Sequence, residues 1–140
     1  MGVELLQSLL VDLRYAFSVN IPSFIARQFY VAGSLRNTET GWELQAQNPM
    51  GDGVLVGVGK MSVDGREIPA DSVTAQRVGE AEPIRARDVS RTQPVKVSKG
   101  DRVTLAVEGE QLAPGEHKLD VELVELNLGA LSFSIGDKVA

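Results

Sequence analysis

Apolar and polar residues alternate along most of this chain, and that alternation predicts strands with one face buried. Trp42, Leu44 and Ala46 take turns with Glu43, Gln45 and Gln47. Leu119, Val121 and Leu123 alternate with Asp120 and Glu122, and Leu131, Phe133 and Ile135 alternate with serines. Val54 to Val63 reads as a strand, and Asp64-Gly65 supplies the residues of a tight type I′ hairpin turn into a short return strand, Arg66 to Ile68, stopped by Pro69. Val95–Val97 and Val103–Val107 flank a turn at Ser98-Lys99-Gly100-Asp101. Pro114-Gly115 has the order of a type II turn. Phe24 to Ala32, rich in aromatic and β-favouring residues, predicts a further strand running into Gly33. Short strands divided by turn signals predict an all-β fold, an antiparallel β-sandwich in one domain over residues 23–140.

Two segments break the pattern. In residues 1–22, Val3, Leu6, Leu10, Leu13 and Phe17 fall on one helical face, while Leu13, Tyr15, Phe17, Val19 and Ile21 alternate as a strand would. A short helix to about Leu10 feeding a strand from Leu13 accommodates both, and Pro22 ends the arm. This arm reads either as core or as a docking element for another subunit. Ala75 to Pro94 reads as a long loop in which Arg77, Arg85, Arg87 and Arg91 are interleaved with Glu80, Glu82 and Asp88. It is a solvated stretch of ion pairs or a surface for a partner or anionic ligand, because arginine forks suit carboxylate and phosphate.

Composition narrows the function classes. The chain has 140 residues, enough to bury roughly two-thirds of its extended surface in one core. Its 14 basic and 19 acidic residues give a net charge of -5, which disfavours a nucleic-acid groove. No run of eighteen apolar residues exists, so no transmembrane helix is expected. Glu4 stands where a secretory signal would have a basic start, and Asp12 and Arg14 interrupt the apolar stretch, which predicts no secretory signal and a cytoplasmic protein. There is no cysteine and one histidine, His117. A convergent catalytic set is hard to assemble from that inventory, so no catalytic residue is assigned.

Local lookalikes do not change this. Gly57-Val58-Gly59-Lys60-Met61-Ser62 has a phosphate-loop flavour but lacks the spacing and the following helix, and reads as a strand whose glycines allow close approach. Asp52, Asp64 and Asp71 read as turn formers. Glu108, Glu110 and Glu116 near His117 make a poor zinc set, so no metal or cofactor is assigned to this chain.

Four blocks carry a family resemblance: Gly33-Ser34-Leu35-Arg36-Asn37, Gly41 to Pro49 (GWELQAQNP), Val63 to Pro69 (VDGREIP) and Leu112 to Leu119 (LAPGEHKL). In this order they resemble the small (β) subunit of bacterial C-glycoside deglycosidases, over roughly Phe24 to Lys138. The resemblance implies a heteromeric carbon–carbon lyase whose partner (α) subunit is a TIM barrel holding a divalent metal, Mn or Mg, and the acid–base residues. The substrate implied is a 3-oxo-C-glycoside. Its carbonyl acidifies the neighbouring C–H, so that elimination breaks the bond to the aglycone while the metal stabilises the enolate.

In that reading this chain stabilises the barrel and shapes the entrance to its site. Interface candidates are Tyr30, Arg36, Trp42, Arg85, Arg87 and Arg91, since aromatic and arginine side chains dominate binding hot spots. A lone tryptophan in a small domain also reads as core. The alternatives are an accessory partner of another sugar isomerase- or epimerase-like barrel, a free-standing carbohydrate-binding sandwich, and a purely structural protein.

Overall fold

The computed structural model describes residues 19–140, so the expectations for residues 1–18 lie outside it. Two sheets face each other, as the alternation requires. In chain order the elements are β1 (Val19–Asn20), α1 (Ser23–Phe29), β2 (Arg36–Thr38), β3 (Gly41–Gln47), β4 (Gly53–Val63), β5 (Arg66–Ile68), β6 (Val73–Arg77), β7 (Ile84–Arg85), β8 (Val95–Val97), β9 (Arg102–Glu108), β10 (Gly115–Glu125) and β11 (Gly129–Val139). Single 3₁₀ turns at Ala70–Ser72 and Ala86–Asp88 link the strands on either side. One sheet runs β1-β11-β10-β4-β5, with β8 also paired to β4, and the other runs β2-β3-β9-β6-β7. All pairings are antiparallel except β1 with β11. The all-β sandwich is therefore as the sequence predicts.

The core fills the space between the sheets. Trp42, Leu44, Val73, Val103, Leu105 and Val107 come from one sheet, and Met61, Val63, Ile68, Leu119, Val121 and Val139 from the other. Leu119 and Val73 are the largest side chains sealed completely inside. A smaller cluster, Val56, Val124 and Ala130, is separate from it. Val124 follows the inward-facing Leu123 along β10, so this cluster lies on the outer face of its sheet. On β4 the register against β10 shifts twice, between its contacts with Val121 and Leu123 and again between Val124 and Glu125. Gly57 and Gly59 lie in this stretch. A Cβ at Gly59 would come within 2.3 Å of the Glu122 carboxylate, so glycine there serves close approach, in strand rather than phosphate loop.

The predicted strand at Phe24 to Ala32 is corrected. Ser23–Phe29 is a helix, with the Pro22 carbonyl accepting from the Ile25 and Ala26 N–H groups. Proline just before a helical turn and the run Ala26-Arg27-Gln28 favour that outcome locally. Packing completes it: Ala26 is fully buried, and the Phe29 ring meets Phe133 on β11 at 5.4 Å between centroids. Gln47 Nε2 donates to the Gln28 carbonyl at 3.0 Å, so α1 spans the open side of the sandwich from β11 to β3.

Residues 75–94 are also more ordered than the predicted loop. They continue β6, form β7 and include the second 3₁₀ turn. Ala75, Ala86 and Val89 are buried, and these apolar anchors were obscured by the arginines around them.

Candidate functional site

The strand termini at one end of the sandwich bring together residues far apart in sequence. β3 begins there with Gly41 and Trp42, which pair with Glu108 and Val107 at the end of β9. The β4–β5 hairpin turns there, with Asp64 at φ 51° and Gly65 at φ 81°, the left-handed pair that a type I′ turn needs. β10 starts there at Gly115, which has a positive φ. Between the β4–β5 hairpin of one sheet and the β9 end of the other lies an open cleft of about 280 Å³. Trp42, Arg66, Glu67, Ser72, Glu108 and Glu110 supply its polar groups.

Side-chain hydrogen bonds tie the loops around this cleft to each other. Asn37 grips Leu112 at both backbone groups, donating from Nδ2 to its carbonyl and accepting from its N–H, each at 2.8 Å. Gln111 Nε2 donates to the Thr38 carbonyl at 2.7 Å. Asp64 accepts the Lys118 N–H at 2.8 Å and faces His117 Nδ1 at 2.6 Å. The other ring nitrogen of His117 faces the Ala113 carbonyl, also at 2.6 Å.

That carbonyl has no proton to give, and an ionised Asp64 has none either, so both ring nitrogens are best served by carrying hydrogen. Consistently, the Ala113 carbonyl and then Asp64 push the His117 pKa above its ordinary value. The bonds from His117 and from the Lys118 N–H hold the Asp64 carboxyl below the usual range. His117 ties the hairpin to β10 through both ring nitrogens, an arrangement that favours the charged form and leaves it no free nitrogen for base catalysis. Nothing in the spacing of residues 64 and 117 signals this pair; the fold alone creates it.

A second tie lies beside the cleft end. Tyr30 donates its hydroxyl to Asp137 and accepts from the Leu35 N–H at 3.2 Å. Asp137 also accepts from the Gly33 N–H at 3.0 Å. Burial pushes the Asp137 carboxyl up, but these hydrogen bonds outweigh it and hold the group below its usual range. Burial, then the Asp137 carboxylate, raises the Tyr30 hydroxyl to about 12.

The six interface candidates are dispersed. Tyr30 and Trp42 are buried, with Trp42 only 3% exposed at the cleft floor. Arg36 is exposed on β2 and pairs with Glu43 at 3.2 Å. Arg87 pairs with Asp71 at 2.9 Å, and Arg85 donates to the Asp71 carbonyl at 2.9 Å. Arg91 is exposed in the bend between Ser90 and Gln93. Two candidates therefore hold the Ala70–Ser72 turn. Among the described residues no three His, Asp or Glu side chains gather in a way that could hold a metal ion.

Sequence reasoning missed Arg66, Glu67 and Ser72 as cleft residues, because Arg66 and Glu67 read only as part of a short return strand and Ser72 lies in the turn beyond Pro69.

A protein-family profile described as hydroxymethylglutaryl-CoA reductase, N-terminal domain, matches residues 25–140. The chain belongs to that family. The match covers the sandwich from α1 through β11, nearly the same stretch that carries the deglycosidase resemblance, and the family's description names a reductase domain instead. Among curated protein sequences nothing matches. Among solved structures, a family 123 glycoside hydrolase from Clostridium perfringens, described for glycolipid glycan hydrolysis, is similar at 12% identity with a TM-score of 0.37. The similarity covers 75% of this chain and 22% of that one. The chain thus spans about a fifth of the hydrolase's length, and a likeness this distant carries no argument about function.

Proposed function

We propose that this chain is a non-catalytic subunit that presents its cleft end to a larger sugar-processing enzyme. The partner in this reading is the metal-dependent TIM barrel of a C-glycoside deglycosidase acting on 3-oxo-C-glycosides. One observation supports it above the rest. The four blocks that resemble the deglycosidase small subunit are scattered between residues 33 and 119, yet they meet at one end of the fold. Two of them line the cleft through Trp42 and through Arg66 and Glu67. The other two are bonded to that rim through Asn37–Leu112 and Asp64–His117. Parts of all four blocks thus share one end of the fold, the end this reading presents to the partner. The divalent metal and the acid–base groups belong to the partner in this reading, and the complex is cytoplasmic.

The test is cleavage of a 3-oxo-C-glucoside by a barrel subunit with and without this chain, scored by free aglycone. Release that requires both proteins supports the reading, and release indifferent to this chain sinks it. A second reading follows from the family match over residues 25–140: an accessory domain beside a hydroxymethylglutaryl-CoA reductase. Saturable binding of hydroxymethylglutaryl-CoA to the chain, with no effect on the lyase reaction, would favour that alternative.

A further inference from the structure

We infer that the Trp42 cleft is a binding site for a polyhydroxylated small molecule of about monosaccharide size. The inference goes beyond the subunit reading and stands without it, because it needs only this chain. It begins with hydrogen-bonding groups that the fold leaves without protein partners. Trp42 is almost wholly buried, yet among the described residues no group accepts a hydrogen bond from its indole N–H. Among the described residues no buried side-chain nitrogen is left unpaired, so that edge of the ring reaches the water in the cleft. Around it stand Arg66, Glu67, Glu108 and Glu110, and none of these makes an ion pair or side-chain hydrogen bond to the described residues. Arg66 influences Asp64 only at longer range.

The mixture of groups selects the ligand. Three carboxylates accept only, while an indole N–H and a guanidinium donate only. An ammonium or guanidinium ligand has donors alone: it satisfies the carboxylates, leaves the indole N–H without an acceptor and meets Arg66 as a like charge. A metal cation has the same two defects. A phosphate or sulfate satisfies Trp42 and Arg66 but faces three carboxylates. A hydroxyl both donates and accepts, so adjacent hydroxyls on a ring can answer both sets at once. The cleft's size, near the lower end of small-molecule pockets, suits one such ring.

The chain's single tryptophan makes the test direct, because the 140-residue chain has one indole N–H resonance. D-glucose and methyl β-D-glucopyranoside are titrated into the ¹⁵N-labelled chain, beside arginine amide and sodium sulfate as donor-only and acceptor-only probes. The expected result is a saturable shift of the indole resonance with a sugar, and with neither of the other probes. The double variant Glu67→Ala/Glu108→Ala, which removes two exposed carboxylates, keeps the spectrum of the fold and weakens sugar binding about tenfold or more. A shift with arginine amide or sulfate alone overturns the assignment. So does a resonance unmoved by every probe at about 0.1 M, well above the weakest affinities of built sites. Sugar binding of unchanged strength in the double variant also overturns it.

Discussion

At Asp64 a backbone conformation and an ion pair depend on the same side chain. The residue adopts φ 51°, which asparagine tolerates about as well, so Asp64→Asn removes the charge while keeping the turn. The His117 pKa is raised on folding, so its contribution is complete below its ordinary value of 6.5 and is lost as pH rises through the higher folded value. The Asp64 pKa is lowered from 3.8, so its contribution is complete above that value and is lost as pH falls through the folded one. The tie is therefore strongest in weak acid. The expected outcome is a Tm deficit for Asp64→Asn that is largest near pH about 5 and much smaller near pH about 9, measured by thermal denaturation across that range.

Glycines divide by their surroundings. A Cβ on Gly41 would sit 1.9 Å from the Val107 carbonyl oxygen, whereas Gly136 has nothing within 4 Å. Gly41→Ala is expected to cost about 2–3 kcal/mol in urea unfolding, and Gly136→Ala close to nothing.

Among the elements, α1 is where sequence and structure part most clearly. Composition over residues 24–32 pointed to a strand, but Ala26 and Phe29 stand three apart and bury one helical face against β11. Phe29 and Tyr30 mark burial, which either element satisfies, while Phe24 stays exposed, and the Pro22 start signal decides in favour of helix. The Tyr30 hydroxyl then locks the exit of α1 to β11 through Asp137. Tyr30→Phe strips Asp137 of a donor and the Leu35 N–H of an acceptor. Equilibrium unfolding should show a loss of about 1–2 kcal/mol, with the fold retained.

The hairpins and long strands were legible because alternation and turn residues are local signals: Asp64-Gly65 and the strands around Leu44, Val121 and Phe133 lie where predicted. The sheet partners were not legible. The turn at Ser98–Asp101 carries the chain from β8 in one sheet to β9 in the other, and nothing in those four residues distinguishes such a crossing from a hairpin. The cleft shares that obscurity, since it exists only where β5 and β9 of different sheets come close.

For the whole molecule the two ends differ in character. The end opposite the cleft carries Met50, Val78, Leu126 and Leu128, all exposed apolar side chains close to the termini of β3, β6 and β10. Exposed apolar groups gathered in one region raise the tendency to associate. Replacing Met50 and Leu128 with serine should lower binding of a hydrophobic dye and leave Tm nearly unchanged, since neither side chain contributes to the core.

The sheet margins tell against disordered association. Each long strand of seven residues or more has a neighbour on both sides along at least part of its length, while β2, β5 and β8 have three residues and β7 has two. The stretch of β4 between its contacts with β8 and β5 is also where its register slips twice. A fibril grows when a flat, unbroken margin templates an identical segment from another molecule. Here most margins are too short or too irregular to copy, and the longer one, Phe133 to Val139 of β11, lies beside α1 and is held by Tyr30 and Gly33 at Asp137, so concentrated solutions of the folded chain should remain free of amyloid even where the apolar end makes them self-adhesive.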